Sequence, residues 1–375
     1  MSKFASSLRQ PNDIDLQHPL FRRREGPYIN MEAPPAAESH RYFAFQPILT
    51  LRKRVIGYEA LFRAGWEDVF SGHSNTATLI MIDNWLLYGF EDLTGNSPTF
   101  LNCTREALVS GLLTMLPRWA VFEILETVEP DEEVLKACRN LKALGYRISL
   151  DDFESPDKMD GFLELADFIK IDFRLSNFQE RARLVKLLKG TGATLIAEKI
   201  ETEDEFRMAA WEGFELFQGY YFRERASFAM SKDVLNAENC MRILETLKEP
   251  GFAIGKLAEY TDLEPGLSCR LLRRVNWITA PHSPVNSIRD ALRLIGKAEF
   301  RQLVRLALLA GVQDWNNLPP EYAWAGGSTE GLEAGEPTTL PTTGDSSGPP
   351  QKKGETALGK ILRMSTPRTT PRPKR

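Results

Sequence analysis

Carboxylate, amide and amine side chains recur at the ends of short apolar segments through the first two thirds of this 375-residue sequence. Oxygen ligands in this number, with one amide and without histidine, suit Mg²⁺ or Mn²⁺. Two such ions about 3.5–4 Å apart can clamp a phosphodiester and activate water. The recurring residues are Glu59, Asn102, Glu123, Glu126, Asp151, Asp152, Lys170, Asp172, Glu198, Glu201 and Gln218.

Each of these residues also has a purely structural explanation. A single Glu at a strand end is usually a solvated rim charge, the pair Asp151–Asp152 could cap a helix, and Lys170 could pair only with Asp172. Independent rim charges need not recur at every strand end, so the repetition favours one shared site. Lys170 is the obvious cation for this acidic set, and buried carboxylates must be paired, protonated or metal-bound.

The elements that must position these residues alternate between apolar β-rich runs and amphipathic helical segments. This alternation predicts a parallel sheet with crossover helices, and eight strand candidates predict a closed α/β barrel with its reactive groups at the C-terminal strand ends. Thr50–Arg54 is too short for a crossover helix, so the first two strands should form an antiparallel hairpin. The candidates are Tyr42–Ile48, Val55–Phe62, Thr99–Asn102, Ala120–Leu125, Arg147–Phe153, Phe168–Phe173, Thr194–Ile200 and Glu215–Gly219.

The chain changes character on either side of this region. Residues 235–312 contain helical patterns separated by Pro, Gly or polar breaks, and these predict a small all-α helical domain. Residues 1–40 lack periodicity and are expected to form a disordered lead. Residues 318–375 are dominated by Gly, Pro, Ser and Thr, which predicts a disordered, solvated tail.

Composition excludes several classes of protein. The 47 Lys and Arg against 51 Asp and Glu give a net charge of −4, which argues against a binder of nucleic-acid polymers. No apolar run approaches the roughly 18–20 residues of a membrane span, and the polar N-terminal segment is unlike a signal peptide. The 4 cysteines lie far apart, so we expect reduced thiols and a cytoplasmic protein. The 4 histidines include no His-Asp doublet, which argues against a His-rich metal site.

Residues 41–228 resemble the EAL domain of bacterial cyclic di-GMP signalling. The matching motifs, in the family's order, are FQPILTLRKRVIGYEALFR, FLNCTRE, VFEILETVE, ISLDDF, FIKIDF, LIAEKIET and FQGYYF. The resemblance implies a modified TIM (β/α)₈ barrel with an antiparallel first strand, in agreement with the short first connection. It also implies hydrolysis of cyclic di-GMP to linear pGpG with two Mg²⁺ or Mn²⁺ ions.

The resemblance also implies roles for individual positions. The positions that match metal ligands are Glu59, Asn102, Glu123, Asp151 and Asp152. The positions that match groups near the phosphate and guanine of the substrate are Gln46, Arg63 and Gln218. Lys170 and Glu198 match the residues that position and activate the water. Glu126 matches the glutamate that anchors the loop after the fifth strand.

Two positions depart from the family pattern. The Asp-Asp-Phe run continues as ESPDKMDG, where a flexible loop with glycines and serines is usual, and Pro156 stiffens this segment. Because the loop supports metal placement, displacing a ligand by about 1 Å can cost on the order of 100-fold in rate. Lys199 stands where glycine is usual, so it either adds a competing positive charge or points outward.

Residues 235–312 resemble the HDOD domain, a helical relative of HD hydrolases that lacks the catalytic His-Asp, through LSCRLLRRVNW and SIRDALRLIGKAEFRQLVRLAL. Full HDOD domains run well beyond residue 312, so we expect a truncated module.

Two candidate functions follow from these resemblances. One is a cytoplasmic, metal-dependent cyclic di-GMP phosphodiesterase. The other is a catalytically weak or inactive receptor or scaffold that binds cyclic di-GMP or a protein partner. The resemblance implies that the HDOD-like domain contacts a protein partner and that the barrel forms a homodimer.

Overall fold

The structure is a computed structural model in which we describe residues 40–63, 75–222, 226–233, 235–249, 251, 253–279 and 284–311. His40 already belongs to the first strand. The remainder of the predicted lead and the whole predicted tail, residues 318–375, lie outside the described residues. Within these ranges, each helix is too short or too polar to cross a bilayer.

One sheet within the described ranges closes into a barrel, with the order β2-β3-β4-β5-β6-β7-β8-β1 and a further β1–β2 pairing that completes the ring. The strands from β2 to β8 pair in parallel with their neighbours, whereas β1 is antiparallel to both β2 and β8. The predicted modified TIM barrel with an antiparallel first strand is therefore confirmed. The strands are β1 (His40–Thr50), β2 (Val55–Arg63), β3 (Thr99–Cys103), β4 (Ala120–Ile124), β5 (Arg147–Leu150), β6 (Phe168–Asp172), β7 (Thr194–Glu198), β8 (Leu216–Phe217) and β9 (Ala226–Ser231).

The antiparallel start follows from a tight turn between β1 and β2. The Thr50 N–H donates to the Arg54 carbonyl at 2.9 Å, and the Lys53 N–H donates to the Thr50 carbonyl at 2.8 Å. The turn sets the register in which Gln46 faces Glu59. Side chains opposite each other in an antiparallel pair lie on the same face of the sheet, so these two residues share one side of the barrel wall.

Strand β9 is an addition that the sequence analysis missed. It pairs antiparallel with the first half of β1, from His40↔Ser231 to Phe45↔Ala226. The segment ASFAMS lacks a continuous apolar run, and most of its described side chains are only half-buried. Its place is fixed by the free edge of β1 and by Phe228, which stacks on Phe43 with ring centroids 5.7 Å apart.

Helices α1 to α7 belong to the barrel, and α8 to α12 follow it along the chain. Asn177 and Thr202 each form a reciprocal capping box, with Glu180 and Glu205 respectively; such boxes satisfy the free N–H groups of the first turn. The helices are α1 (Asn75–Tyr88), α2 (Glu91–Thr94), α3 (Arg105–Val109), α4 (Glu132–Ala143), α5 (Pro156–Leu163), α6 (Phe178–Leu188), α7 (Glu203–Glu212), α8 (Ala237–Thr246), α9 (Ile254–Asp262), α10 (Pro265–Ile278), α11 (Ile288–Ile295) and α12 (Lys297–Gly311), with a 3₁₀ turn at Leu112–Met115.

The strands bury different residues on their two faces, as the twofold alternation of a strand requires. Outward-facing residues such as Phe122 and Ile169 join the large core between the sheet and the helices. A second, smaller cluster closes the inside of the barrel, and we call it the apolar floor. It consists of Ile48, Phe100, Val121, Phe168, Ile196 and Leu216, all buried.

Helices α8 to α12 form the all-α part, and their core is continuous with that of the barrel. Helix α1 of the barrel packs on α10 and α12. Between them lies a buried ionic cluster in which Asp83 of α1 binds two arginines. Arg41 of β1 reaches it at 2.5 Å, and Arg270 of α10 reaches it with Nε at 2.6 Å. Arg270 also contacts Asp233 at 2.5 Å.

Candidate active site

The candidate site is a layer of polar side chains directly above the apolar floor. Along β3, β4, β6, β7 and β8, each floor residue is followed two positions later by a polar residue, so both lie on the inside of the barrel. Each of the eight barrel strands, or the residue just after it, contributes one member. The polar layer consists of Gln46, Glu59, Asn102, Glu123, Asp151, Lys170, Glu198 and Gln218. The structure thus brings eight of the predicted site residues together.

Lys170 lies at the centre of this layer and is 1% exposed. Its ammonium is 2.5 Å from Glu123 Oε1 and 2.5 Å from Glu198 Oε1. It is also 3.3 Å from Asp151 Oδ1 and 3.4 Å from Glu59 Oε2. Four buried carboxylates against one ammonium leave a formal charge of −3 when all are ionised. Buried charges need compensation, so this layer calls for further positive charge.

Two amides orient Glu59. Asn102 donates through Nδ2 to Glu59 Oε1 at 3.2 Å, and Gln218 donates through Nε2 to Glu59 Oε2 at 2.6 Å. Gln218 is placed by Gly219, whose φ is +152° and where an added Cβ would lie 2.1 Å from the Ile200 carbonyl oxygen. Only glycine allows that close backbone approach. Predicted strand eight spans Glu215–Gly219, but the observed β8 is shorter because the chain turns at this glycine.

Some oxygens of the layer are buried without a hydrogen-bonding partner. Within the described part of the chain, these include Asn102 Oδ1 and Glu123 Oε2. Buried polar atoms are nearly always satisfied, so unsatisfied oxygens beside surplus negative charge fit the ligand set of a divalent cation. The residues present therefore fit the metal that the acidic pattern implies.

A second acidic group adjoins the layer at its rim, and we call it the acidic rim. It consists of Glu126, Asp151 and Asp152, whose oxygens lie within 4.8 Å of one another. Asp152 follows β5 in a left-handed conformation with φ of +38°, which explains why β5 ends at Leu150 and not at the predicted Phe153. Burial and the neighbouring Asp151 raise the pKa of Asp152 to about 6. Glu126 is exposed, and its predicted role in anchoring the loop stays a prediction.

Burial also perturbs the ionisable groups around Lys170. It raises the pKa of Glu123 well above its usual value, despite the opposing charge of Lys170. It raises the pKa of Glu198 to about 8, again against Lys170. Although burial alone would lower it, Asp151 and the other carboxylates raise the pKa of Lys170 well above its usual value. Lys170 therefore stays charged while the carboxylates compete for protons or a cation.

Lys199 turns toward the site and not outward. It has a φ of +55°, and its ammonium donates to Asp172 Oδ2 and lies 3.6 Å from Asp152 Oδ2. Burial lowers the pKa of Lys199, but the hydrogen bond to Asp172 outweighs this and the pKa is raised overall. The sequence left two orientations open for this residue, and the lysine carries its charge to the acidic rim.

Of the predicted substrate-binding residues, Gln46 and Gln218 belong to the polar layer, whereas Arg63 lies beside it. Gln46 is buried opposite Glu59. Arg63 ends β2 and donates to Ser227 Oγ of β9 at 2.6 Å. Arg63 also lines a cleft with Asn102 and Thr78, between the ends of β2 and β3 and the start of α1. The sequence analysis missed the contribution of Ser227, because nothing in ASFAMS signals that it pairs with β1.

Comparison with known proteins identifies both parts of the chain. A family model described as the EAL domain matches residues 94–225, and a model described as the HDOD domain matches residues 235–323. The chain therefore carries a segment that matches the EAL domain, followed by a segment that matches the HDOD domain. Among similar curated proteins, YuxH of Bacillus subtilis (strain 168), described as uncharacterized, is 30% identical over 275 residues, or 70% of this chain and 66% of YuxH.

A second relative is CdgJ of Vibrio cholerae, named a cyclic di-GMP phosphodiesterase. It is 31% identical over 278 residues, which are 71% of this chain and 63% of CdgJ. The chain thus spans just under two thirds of each relative. Among solved structures, an EAL domain protein of Listeria monocytogenes EGD-e is 19% identical with a TM-score of 0.40, covering 49% of this chain and 88% of that one. A standalone EAL protein of Vibrio cholerae O395, bound to c-di-GMP, is 24% identical with a TM-score of 0.39 over 49% and 92% of the two chains.

Proposed function

We propose that this chain is a metal-dependent phosphodiesterase that hydrolyses cyclic di-GMP to pGpG. The observation that carries the proposal is Lys170 among four buried carboxylates. Such an arrangement is costly for stability alone, whereas it suits an anionic substrate that arrives with divalent cations. The similarity to CdgJ supports the choice of substrate. We propose residues 41–228 as the catalytic domain and residues 235–312 as the HDOD-like domain.

We propose Mg²⁺ or Mn²⁺ as the cation, because the ligands offered are oxygens only. Glu59, Asn102, Glu123 and Asp151 would hold one ion in the polar layer. The family resemblance implies a second ion as well, and Asp152 and Asp151 are the carboxylates nearest to a position for it. Such ions withdraw charge from a phosphodiester oxygen and acidify water when bound.

The residues of the chain would divide the remaining work. Lys170 directs its ammonium toward the oxygens of the layer and can hold the attacking water by hydrogen bonding. Glu198, with a pKa raised to about 8 by burial, can take a proton from that water, since a base works best when its pKa lies near the working pH. Water adds to one phosphorus, the bond from that phosphorus to the 3′-oxygen breaks, and the 3′-oxygen gains a proton. The product is linear and keeps a 5′-phosphate.

We assign substrate binding to Arg63, which lies beside the layer, and to Gln46 and Gln218, which belong to it. Arg63 lines the cleft next to Asn102, and a guanidinium can donate two parallel hydrogen bonds to a phosphate. Gln46 and Gln218 offer amide groups to a guanine or phosphate edge. The described cysteines are free and buried, which supports the cytoplasm as the site of action. A protein partner for the HDOD-like domain and a homodimer through the barrel stay proposals.

The test is incubation of the purified full chain with cyclic di-GMP and Mg²⁺ or Mn²⁺, with products separated by chromatography. We expect pGpG with metal, none with a chelator, and none from Lys170→Met. The matched control is Lys142→Met, which removes a lysine bound at 2.6 Å to Asp167 at the other end of β6 and should leave turnover unchanged. Binding of the dinucleotide without pGpG above the metal-free level would refute the enzyme.

A receptor or scaffold is the second candidate, and one observation favours it. Lys199 carries a positive charge to within 3.6 Å of Asp152, where the catalytic proposal calls for a metal ligand. Calorimetry that detects tight binding of cyclic di-GMP, together with no turnover, would support a receptor. Absence of both binding and turnover would leave only a scaffold.

A further inference from the structure

Lys199 occupies a strained position across the top of β6 from Asp152. It follows Glu198 at the end of β7 and has a φ of +55°, while Asp152 follows β5 and has a φ of +38°. Both angles lie in the left-handed region, which side chains with a Cβ disfavour. Strained residues of this kind persist where their surroundings hold them and where their side chains have a task.

Asp172 fixes the ammonium of Lys199 in place. Asp172 Oδ1 accepts the backbone N–H of Arg174 at 2.5 Å and that of Leu175 at 3.2 Å. Its other oxygen, Oδ2, accepts the hydrogen bond from Lys199. Both oxygens of Asp172 are thus used within the protein, and this carboxylate acts as an anchor for the lysine although the lysine itself is half-exposed.

The anchored ammonium stands at the acidic rim. Its nitrogen is 3.6 Å from Asp152 Oδ2, and Asp152 shares the rim with Glu126 and Asp151. Asp152 Oδ1 is buried and, within the described residues, has no hydrogen-bonding partner, so Lys199 is the cation that lies beside this carboxylate. A fixed positive charge this close neutralises part of the rim and repels a divalent ion that would use the same carboxylate.

We propose that Lys199 is a tethered cation that takes the place of the second divalent ion at the acidic rim, so that this chain binds one ion tightly, in the polar layer. The proposal deepens the proposed function and rests on it for the existence of the metal site. Lys170 and one ion balance the negative charge of the polar layer, and Lys199 balances part of the negative charge of the acidic rim.

The test counts bound Mn²⁺ in the chelator-treated full chain, without substrate, by electron paramagnetic resonance of the free ion. We expect one tight equivalent for the wild type, with any second equivalent weaker by at least about tenfold. Lys199→Asn removes the charge and tolerates a left-handed backbone, so it should bind two equivalents. The bound ions should then show the coupled spectrum of a Mn²⁺ pair.

Two further variants separate charge from structural damage. Lys199→Arg keeps the charge and should bind one equivalent. Lys142→Asn breaks a comparable pair with Asp167 at the other end of the barrel and should also bind one. Melting temperatures with and without Mn²⁺ check that each variant is folded.

Each outcome decides between the proposals. Two equivalents of similar affinity in the wild type, or one equivalent in both the wild type and Lys199→Asn, would overturn the role of Lys199 while the metal-dependent function stands. Absence of bound Mn²⁺ from the wild type and the variant would overturn the metal site itself and the role of Lys199 with it. A change from one to two equivalents supports the tethered cation whether or not the protein turns over cyclic di-GMP.

Discussion

Replacing Asp83 with asparagine should weaken the whole molecule, because this carboxylate joins the barrel to the helical part. Asp83 is 0% exposed. Arg270 donates to it through Nε at 2.6 Å and through Nη2 at 2.8 Å, and Arg41 donates at 2.5 Å. Although burial alone would raise it, Arg270 and Arg41 lower the pKa of Asp83 below its usual value. The group is therefore ionised and stabilises two buried cations.

The expected loss in the free energy of unfolding depends on the partners that the two arginines retain in Asp83→Asn. Breaking a buried ion pair typically costs about 3–5 kcal/mol. Arg270 keeps Asp233, and Arg41 keeps the Ala310 carbonyl at 2.7 Å, so we expect the low end, about 3 kcal/mol for Asp83→Asn. At about 2–4 °C per kcal/mol for a protein of this size, the melting temperature should fall by roughly 6–12 °C.

The assay is differential scanning calorimetry with urea unfolding of the full chain. Asp290→Asn is the control. Asp290 pairs with Arg293 at 2.8 Å, but both side chains are more than half exposed, so the change should stay within about 0.5 kcal/mol. A loss smaller than about 1 kcal/mol for Asp83→Asn would show that the cluster does not join the two parts as argued.

The other predictions concern the barrel mouth. Lys170→Met should lower turnover by at least about 10³-fold, from the loss of positioning and charge stabilisation, with Lys142→Met unchanged, as measured by pGpG formation. Burial raises the pKa of Glu198 from its usual value of 4.5 to about 8, so between these pH values the folded state holds a proton that the unfolded state releases. The metal-free protein should therefore lose stability as the pH rises from about 4.5 to 8. A melting temperature in chelator that does not change over this pH range would contradict the prediction. Gly219→Ala should lower the free energy of unfolding by about 2–4 kcal/mol, because its Cβ would lie 2.1 Å from a backbone oxygen at positive φ. Gly190 also has a positive φ but has open space around it, so Gly190→Ala should lower the free energy of unfolding by only about 1–2 kcal/mol in urea denaturation.

The barrel and its inward-facing residues could be predicted because their signals are local. Strand–helix alternation predicted the parallel sheet, and the length of Thr50–Arg54 predicted the antiparallel start. The polar residues at strand ends predicted the site because twofold alternation forces Glu123 and Lys170 onto the same inner face as Val121 and Phe168 below them.

The features that could not be predicted depend on pairing between distant segments. Strand β9 exists because β1 has a free edge, and ASFAMS itself carries no strand signal. The direction of Lys199 depends on a left-handed backbone and on Asp172, 27 residues earlier in the chain. No periodicity in the sequence encodes either feature, so the charge at the acidic rim became visible only in three dimensions.

Helix α1 connects the ionic cluster to the polar layer. Its Thr78 hydroxyl donates to the carbonyl of Asn102 at 3.0 Å, so the first turn of α1 supports the strand end that carries a site amide. About one and a half turns further on, Asp83 holds Arg270 of α10. Because a helix of this length moves as a rigid element, a displacement of α10 changes the support of Asn102 as well. Loss of the Asp83 contacts should therefore perturb the polar layer while the barrel is still folded. We expect Asp83→Asn to bind Mn²⁺ more weakly than the wild type at temperatures below the melting temperature of the variant.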